Sequence, residues 1–218
     1  MELIEKNYRE AGIVITPEYS IINLLAGLKP NEVYALAEDV ENSMYLSKLA
    51  DLASRLDVLI STHIIEKSHE KPRSYSSSIL NKRIYRKIHL FDAYNYKESD
   101  YLLPGDALSR PVEIKDPVFY TAICHDIRFP ELFRVYAQRG VHGILVQAGR
   151  VKGAVKEEVL DKLACTRSRE NTLYLIVANQ TSDLYTGRSG ISNPYRYKER
   201  DLGFKPRYVE HPIVEEEV

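Results

Sequence analysis

The chain has 218 residues, 44% apolar and 28% charged, with 30 Lys+Arg against 31 Asp+Glu for a net charge of -1. That length and composition suit one folded domain and exclude a disordered chain, and the even charge balance argues against a general nucleic-acid binder. No run approaches the roughly 18 apolar residues of a membrane helix. The charged opening MELIEKNYRE does not read as a signal peptide, and Cys124 and Cys165 alone make no disulfide framework. The expectation is a reduced, cytoplasmic protein with neither membrane nor nucleic acid as partner.

Taken in chain order, residues 2–11 read as a helix. The β-branched run GIVIT (12–16) reads as a buried strand that stops at Pro17. Apolar residues at a spacing close to 3.6 then predict one long amphipathic helix over 31–56, with Asn31 as N-cap. DVLISTHII (57–65) follows as a strand. Residues 74–91 predict a hairpin turning near Asn81 and Lys82. Two short strands are expected within 112–124. A helix is expected at 131–139, with Pro130 in its first turn and Gly140 just past its end. HGILVQA (142–148) is a strand, 157–171 a helix, 172–179 a strand, and 207–214 a last strand candidate. Strands alternating with helices imply an α/β layered fold.

Three chemically useful side chains fall where apolar strands run out: Glu18 after Pro17, Lys87 within IYRKIHLF, and Cys124 at the end of VFYTAIC. Sites in α/β sheets gather at such strand ends. A thiol there, just before a Pro-initiated helix, has helix-terminal amides to lower its pKa and to bind an oxyanion. Singly, each has an ordinary reading: a small buried hydrophobe, a turn carboxylate, one of a basic patch with Lys82, Arg83 and Arg86.

The surrounding string shifts that balance. ICHDIRFPELFR (123–134) resembles the signature of the carbon–nitrogen hydrolase, or nitrilase, superfamily. There the nucleophilic cysteine is followed, after one residue, by Asp and then Arg-Phe-Pro-Glu. The matching residues are Cys124, Asp126, Arg128, Phe129, Pro130 and Glu131. Two other family blocks match in order: an apolar strand ending in Pro-Glu-Tyr gives Glu18, and YRKIHLFD (85–92) gives Lys87. Further matches run through Glu98, Arg167, Glu170, Asn171 and Asn179 to Pro194.

This resemblance implies a nitrilase-like four-layer α-β-β-α sandwich, a single domain over 1–218, short at both ends and lacking the family's usual first strand. The true start lying upstream of Met1, or a shortened relative, would each account for that. It implies a Glu18–Lys87–Cys124 triad, with Glu98 and His125 in support and no metal or other cofactor. Asp126, Arg128 and Glu131 are expected to form a structural ion-pair network beside the site. Arg150, in a Gln147-Ala148-Gly149-Arg150 stretch replacing the family's more usual Pro-containing loop, is the candidate for a substrate carboxylate. The implied function is hydrolysis of a small linear amide through a cysteine thioester, most like the ω-amidase branch, by a homodimer or larger homo-oligomer. An N-carbamoyl amide hydrolase, a nitrilase and a glutaminase-like partner domain are alternatives within the family; a catalytically inactive binding module is the alternative outside it.

Overall fold

A computed structural model describes residues 1–8, 11–22, 27–94 and 96–195. The chain runs α1 (Glu2–Asn7), β1 (Ile13–Ile15), α2 (Pro30–Leu36), α3 (Met44–Leu56), β2 (Leu59–Lys67), β3 (Ser74–Leu80), β4 (Arg83–Arg86), β5 (Asp92–Ala93), β6 (Tyr96–Lys97), β7 (Val112–Glu113), β8 (Val118–Ile123), α4 (Pro130–Gln138), β9 (Gly143–Ala148), α5 (Lys156–Asn171), β10 (Tyr174–Asn179) and β11 (Gly190–Ser192). The strand candidate at 207–214 lies outside the described residues.

Two sheets carry the architecture, in the orders β1-β2-β3-β4 and β11-β10-β9-β8-β7. β1 runs parallel to β2, and β8, β9 and β10 are mutually parallel, while the remaining pairings are antiparallel. The period-2 alternation of strand side chains sorts the core into layers. Ile13, Ile15, Leu59, Leu80, Phe119, Leu145 and Ile176 meet between the two sheets. Their neighbours Tyr120, Ala122, Ile144, Val146, Leu175 and Val177 turn outward, onto Leu132, Phe133 and Tyr136 of α4 and Leu160 and Ala164 of α5. On the opposite outer face Val14 and Ile60 pack against Leu49 and Leu52 of α3. The result is the expected α-β-β-α order of layers. Gln147 ties the two sheets together, its Nε2 donating to the carbonyls of Thr16 (2.8 Å) and Ser61 (3.3 Å).

The hairpin turns at Asn81 and Lys82, both with positive φ (48° and 61°), as a two-residue primed turn requires. α4 begins with Pro130 and is followed by Gly140 at φ 73°. Three expectations need correction. The single helix over 31–56 is two helices. Between them Ser43 caps α3, accepting from the Leu46 N–H at 3.0 Å, and Asp39 accepts from Asn42 and Glu41 in a local turn. These short polar side chains compete with the helix backbone. The freed segment then pairs with β2, where Glu38 bridges Glu66 in parallel. Asn31 is not the cap of α2: Pro30 takes the first helical position, where its missing N–H costs nothing, and Lys29 precedes it. β1 is half-buried rather than buried, and among the described residues it pairs only with β2.

Candidate active site

Glu18 sits in the turn after β1, Lys87 directly after β4, and Cys124 directly after β8. All three reach one point. Lys87 Nζ lies 2.9 Å from Glu18 Oε1 and is equally close to Glu98, at 2.9 Å from Oε1 and 2.8 Å from Oε2. The Cys124 thiol lies near enough to Glu18 and Lys87 to feel both charges. Glu18 and Lys87 are fully buried, whereas Cys124 keeps part of its surface open to solvent.

Backbone geometry holds each group. Cys124 has φ 41°, a left-handed conformation that costs a non-glycine residue about 1–3 kcal/mol. It opens a short 3-10 helix, Cys124–Arg128. The second oxygen of Glu18 accepts from the Gly149 N–H at 3.0 Å. Gly149 must be glycine for that approach, because a Cβ would come within 2.9 Å of Tyr19 Cδ2 and 3.4 Å of Glu18 Oε2. The Glu18 carbonyl takes a bond from Gln180 Nε2 at 3.0 Å. The next residue, Tyr19, has φ 59°; its N–H donates to His63 Nδ1 at 3.1 Å, and His63 Nε2 lies 2.8 Å from Ser76 Oγ. Burial, then the nearby Lys87 charge, lowers the His63 pKa to about 3, so this histidine stays neutral and accepts at Nδ1.

Glu98 is saturated. Its Oε1 receives the Tyr19 hydroxyl (2.5 Å) and Lys87; its Oε2 receives the Phe91 N–H (2.8 Å) and Lys87. In this arrangement it positions the lysine and has no lone pair left for substrate.

The electrostatics correct one expectation. The Cys124 pKa is raised, not lowered: burial and then the adjacent Glu18 carboxylate push it up, and Lys87 and the Gly149 N–H offset only part of this. The resting sulfur is therefore a thiol. Burial raises the Glu18 pKa against the pull of Lys87. For Lys87 burial favours the neutral amine, but Glu18 and Glu98 outweigh it and hold the ammonium.

Of the expected ion-pair network, Asp126 alone is buried, and its partners are not Arg128 and Glu131. It accepts from the Ile123 N–H (2.9 Å), the Tyr85 hydroxyl (2.7 Å), and both the N–H and Nδ1 of His89 (3.0 and 2.8 Å). Arg128 and Glu131 present exposed side chains with no ion pair among the described residues. The turn is braced instead by Arg167, which donates to the carbonyls of Ile127 (2.9 Å) and Arg128 (3.2 Å) and pairs with Glu170 at 2.8 Å. Replacing Asp126 with alanine strands four donors and is expected to cost about 3 kcal/mol, a fall of about 6–12 °C in thermal midpoint. Thermal denaturation with an Asp126→Asn control checks this; an unchanged midpoint contradicts it.

The His125 ring is engaged by its neighbours: its Nδ1–H donates to the Leu90 carbonyl at 3.0 Å, and it meets Phe91 and Phe129 edge-on. Arg150 follows Gly149, with its backbone N–H held by Asn179 Oδ1 at 2.9 Å. Its half-buried guanidinium has no hydrogen-bonding or ion-pair partner among the described residues. Burial and the like charge of Arg128 lower its pKa. The sequence singled out neither His63 nor the close approach at Gly149; a lone strand histidine carries no motif.

A carboxylate and an ammonium in contact, with a thiol beside them, thus gather at the strand ends of an α-β-β-α sandwich. The carbon-nitrogen hydrolase family model matches residues 1–196, and the chain belongs to that family. The deaminated glutathione amidase of Escherichia coli O157:H7 is 30% identical over 111 residues, covering 51% of this chain and 42% of its own. Human omega-amidase NIT2 is 33% identical over 123 residues, covering 51% and 43%. The chain spans about half the length of the curated relatives it matches. In structure it resembles Saccharomyces cerevisiae Nit3, of the nitrilase superfamily, with a TM-score of 0.75 at 22% identity, covering 94% of this chain and 77% of that one. A mutant amidase from Nesterenkonia sp. AN1, carrying the acetamide moiety of fluoroacetamide on its active-site cysteine, gives 0.77 at 19%, covering 94% and 79%. Among the described residues no helix is long and apolar enough to cross a membrane, and no group of three or more His, Cys, Asp or Glu is placed to hold a metal.

Proposed function

We propose that this protein hydrolyses the C–N bond of a small linear amide through a thioester on Cys124. The observation that carries the reading is the convergence of three strand ends: the Lys87 ammonium bonds Glu18 and Glu98, and the Cys124 thiol lies near enough to feel Glu18 and Lys87. In the proposed cycle Glu18 takes the thiol proton as sulfur attacks the amide carbon. The charge that develops on oxygen is met by Lys87 and the His125 backbone N–H. Glu18 returns its proton to the leaving nitrogen, ammonia departs, and the acyl group stays on sulfur. Glu18 then draws a proton from water, which opens the thioester and frees the acid. A raised Glu18 pKa suits a group that must both accept and give a proton.

The substrate type is read from Arg150. A half-buried guanidinium with no carboxylate of its own, close enough to influence Cys124, suits the far carboxylate of an ω-amide, as in the omega-amidases among the relatives. The same reading takes the chain as one domain, cytoplasmic and homo-oligomeric.

The test is ammonia release across a panel of linear amides, nitriles and N-carbamoyl compounds, with intact-mass detection of an acyl adduct. An adduct on Cys124 with ammonia from amides supports the reading; a folded sample giving neither sinks it. Arg150→Gln is expected to raise KM about 10–100-fold for the monoamide of a four- or five-carbon dicarboxylic acid. It should leave kcat, and both constants for an uncharged amide, nearly unchanged. An equal effect on both substrates removes the carboxylate role.

A further inference from the structure

Four buried side-chain polar atoms lack a hydrogen-bonding partner among the described residues: Ser74 Oγ, Gln147 Oε1, Asn171 Oδ1 and the Tyr96 hydroxyl. Of these only the last belongs to a residue that leads directly into the catalytic cluster. Tyr96 opens β6, and Glu98, two residues on, opens the short 3-10 turn Glu98–Asp100 that follows the strand. Its ring is stacked near Tyr101 (centroids 6.3 Å apart) and tilted against Phe91 (6.4 Å). Phe91 is itself tied to Glu98 through its N–H. The ring is thus packed, and its hydroxyl is buried, near enough to feel Glu98, Lys87 and Glu18, with no hydrogen-bonding partner among the described residues.

We infer that the Tyr96 hydroxyl is a substrate-contacting group, which donates a hydrogen bond to an uncharged oxygen on the acyl chain of the amide. The proposal rests on the amide-hydrolase reading above and names a feature of its substrate. Tyrosine rarely buries its hydroxyl unmatched, because the unmade bond is costly. Donation rather than acceptance follows from the surroundings. Burial, and then the Glu98 carboxylate, keep the phenol protonated well beyond its ordinary range. The same two carboxylates, Glu98 and Glu18, disfavour a second anion at that spot, so the oxygen it meets is a hydroxyl, keto or ether oxygen. Arg150 serves the anionic end, and Tyr96 serves a neutral oxygen nearer the reacting carbon.

The test compares plain aliphatic amides of two to four carbons with the matching amides carrying a hydroxyl on the second or third carbon. For the unaltered protein kcat/KM is expected to favour at least one hydroxyamide over its plain counterpart by about 10-fold, since a site that bonds an oxygen rejects the analogue without it. Tyr96→Phe is expected to erase that preference by lowering the hydroxyamide value alone. Its thermal midpoint should be unchanged or raised, as no internal bond is lost. No preference in the unaltered protein, a preference that survives in Tyr96→Phe, an equal fall on both substrates, or a lowered midpoint would each overturn the inference. If no amide is turned over at all, the hydrolase reading fails by itself. Tyr96 is then judged by calorimetric binding of the same amides to Cys124→Ala and to Cys124→Ala/Tyr96→Phe. Tighter binding of a hydroxyamide, lost in the double variant, supports the contact; equal binding refutes it.

Discussion

Cys124→Ala is expected to abolish amide turnover, by at least about 10⁴-fold, while the protein stays folded. The large effect follows from the proposed cycle, in which the sulfur is the group that carries the acyl chain. The small structural effect follows from its surroundings. Cys124 is partly open to solvent, so losing the sulfur leaves no sealed cavity. Glu18 keeps its bonds to Lys87 and to the Gly149 N–H. The positive φ is present with either residue and changes little between them. The measurement pairs ammonia release with intact mass and a thermal midpoint, and the last should move by no more than about 2 °C. Turnover in the alanine variant would reject the mechanism. Burial and Glu18 raise the thiol's pKa, so in the proposed cycle sulfur becomes nucleophilic as its proton passes to Glu18. This differs from cysteines activated by a standing positive field, whose thiolate waits for substrate.

Much of this was legible in the residue order, for identifiable reasons. Runs such as GILVQA and YLIVAN are short, apolar and bounded, so they have no stable home except a sheet core. Asn81-Lys82 is a turn because two residues with positive φ must close a two-residue hairpin. Glu18, Lys87 and Cys124, which the fold brings together, were singled out through three local strings that each sit at a strand end. The helix over 31–56 misled because apolar spacing continues across 37–43. The decisive signals there were polar and partly distant: the Ser43 cap and the Glu38 bridge to Glu66.

What stayed hidden depends on contacts between far-apart segments. Nothing near Glu98 in the sequence tells that Tyr19, Phe91 and Lys87 fill its oxygens. The direction of the Cys124 shift was misjudged for the same reason. A helix start is visible in sequence, while a carboxylate delivered from residue 18 to sit on the sulfur is a tertiary fact. Asp126 was placed rightly near the site but given the wrong partners. The nearest charges along the chain, Arg128 and Glu131, face solvent, and the bonds come from Tyr85 and His89 across the fold.

Lys87→Met should be the most damaging single change, removing both activity and a large part of the stability. Lys87 is bonded to two buried carboxylates, Glu18 and Glu98, and it has no exposure of its own. Its folded pKa stands above the ordinary 10.5, so its stabilising contribution is complete below that value and fades only as pH rises through the higher folded one. At neutral pH all of it is present to be lost. Methionine fills the channel but leaves two like charges facing each other in a dry site, a loss of about 3–5 kcal/mol and roughly 10 °C or more in thermal midpoint. Glu18 has a raised folded pKa, lifted by burial and by Glu98, and without the ammonium it rises further. A carboxylate shifted upward costs stability above its folded pKa and nothing below its unfolded one. The stability deficit of Lys87→Met should therefore be widest near pH 8 and shrink steadily toward pH 4.5, as one carboxylate takes a proton. Adding Glu98→Gln removes one of the two charges and should recover part of the deficit at pH 8. It should not recover turnover, which stays at least about 10³-fold down for want of the oxyanion's cation. Denaturation of the single and double variants across that pH range decides it: a deficit independent of pH would mean that Glu18 and Glu98 are not held as a pair by Lys87.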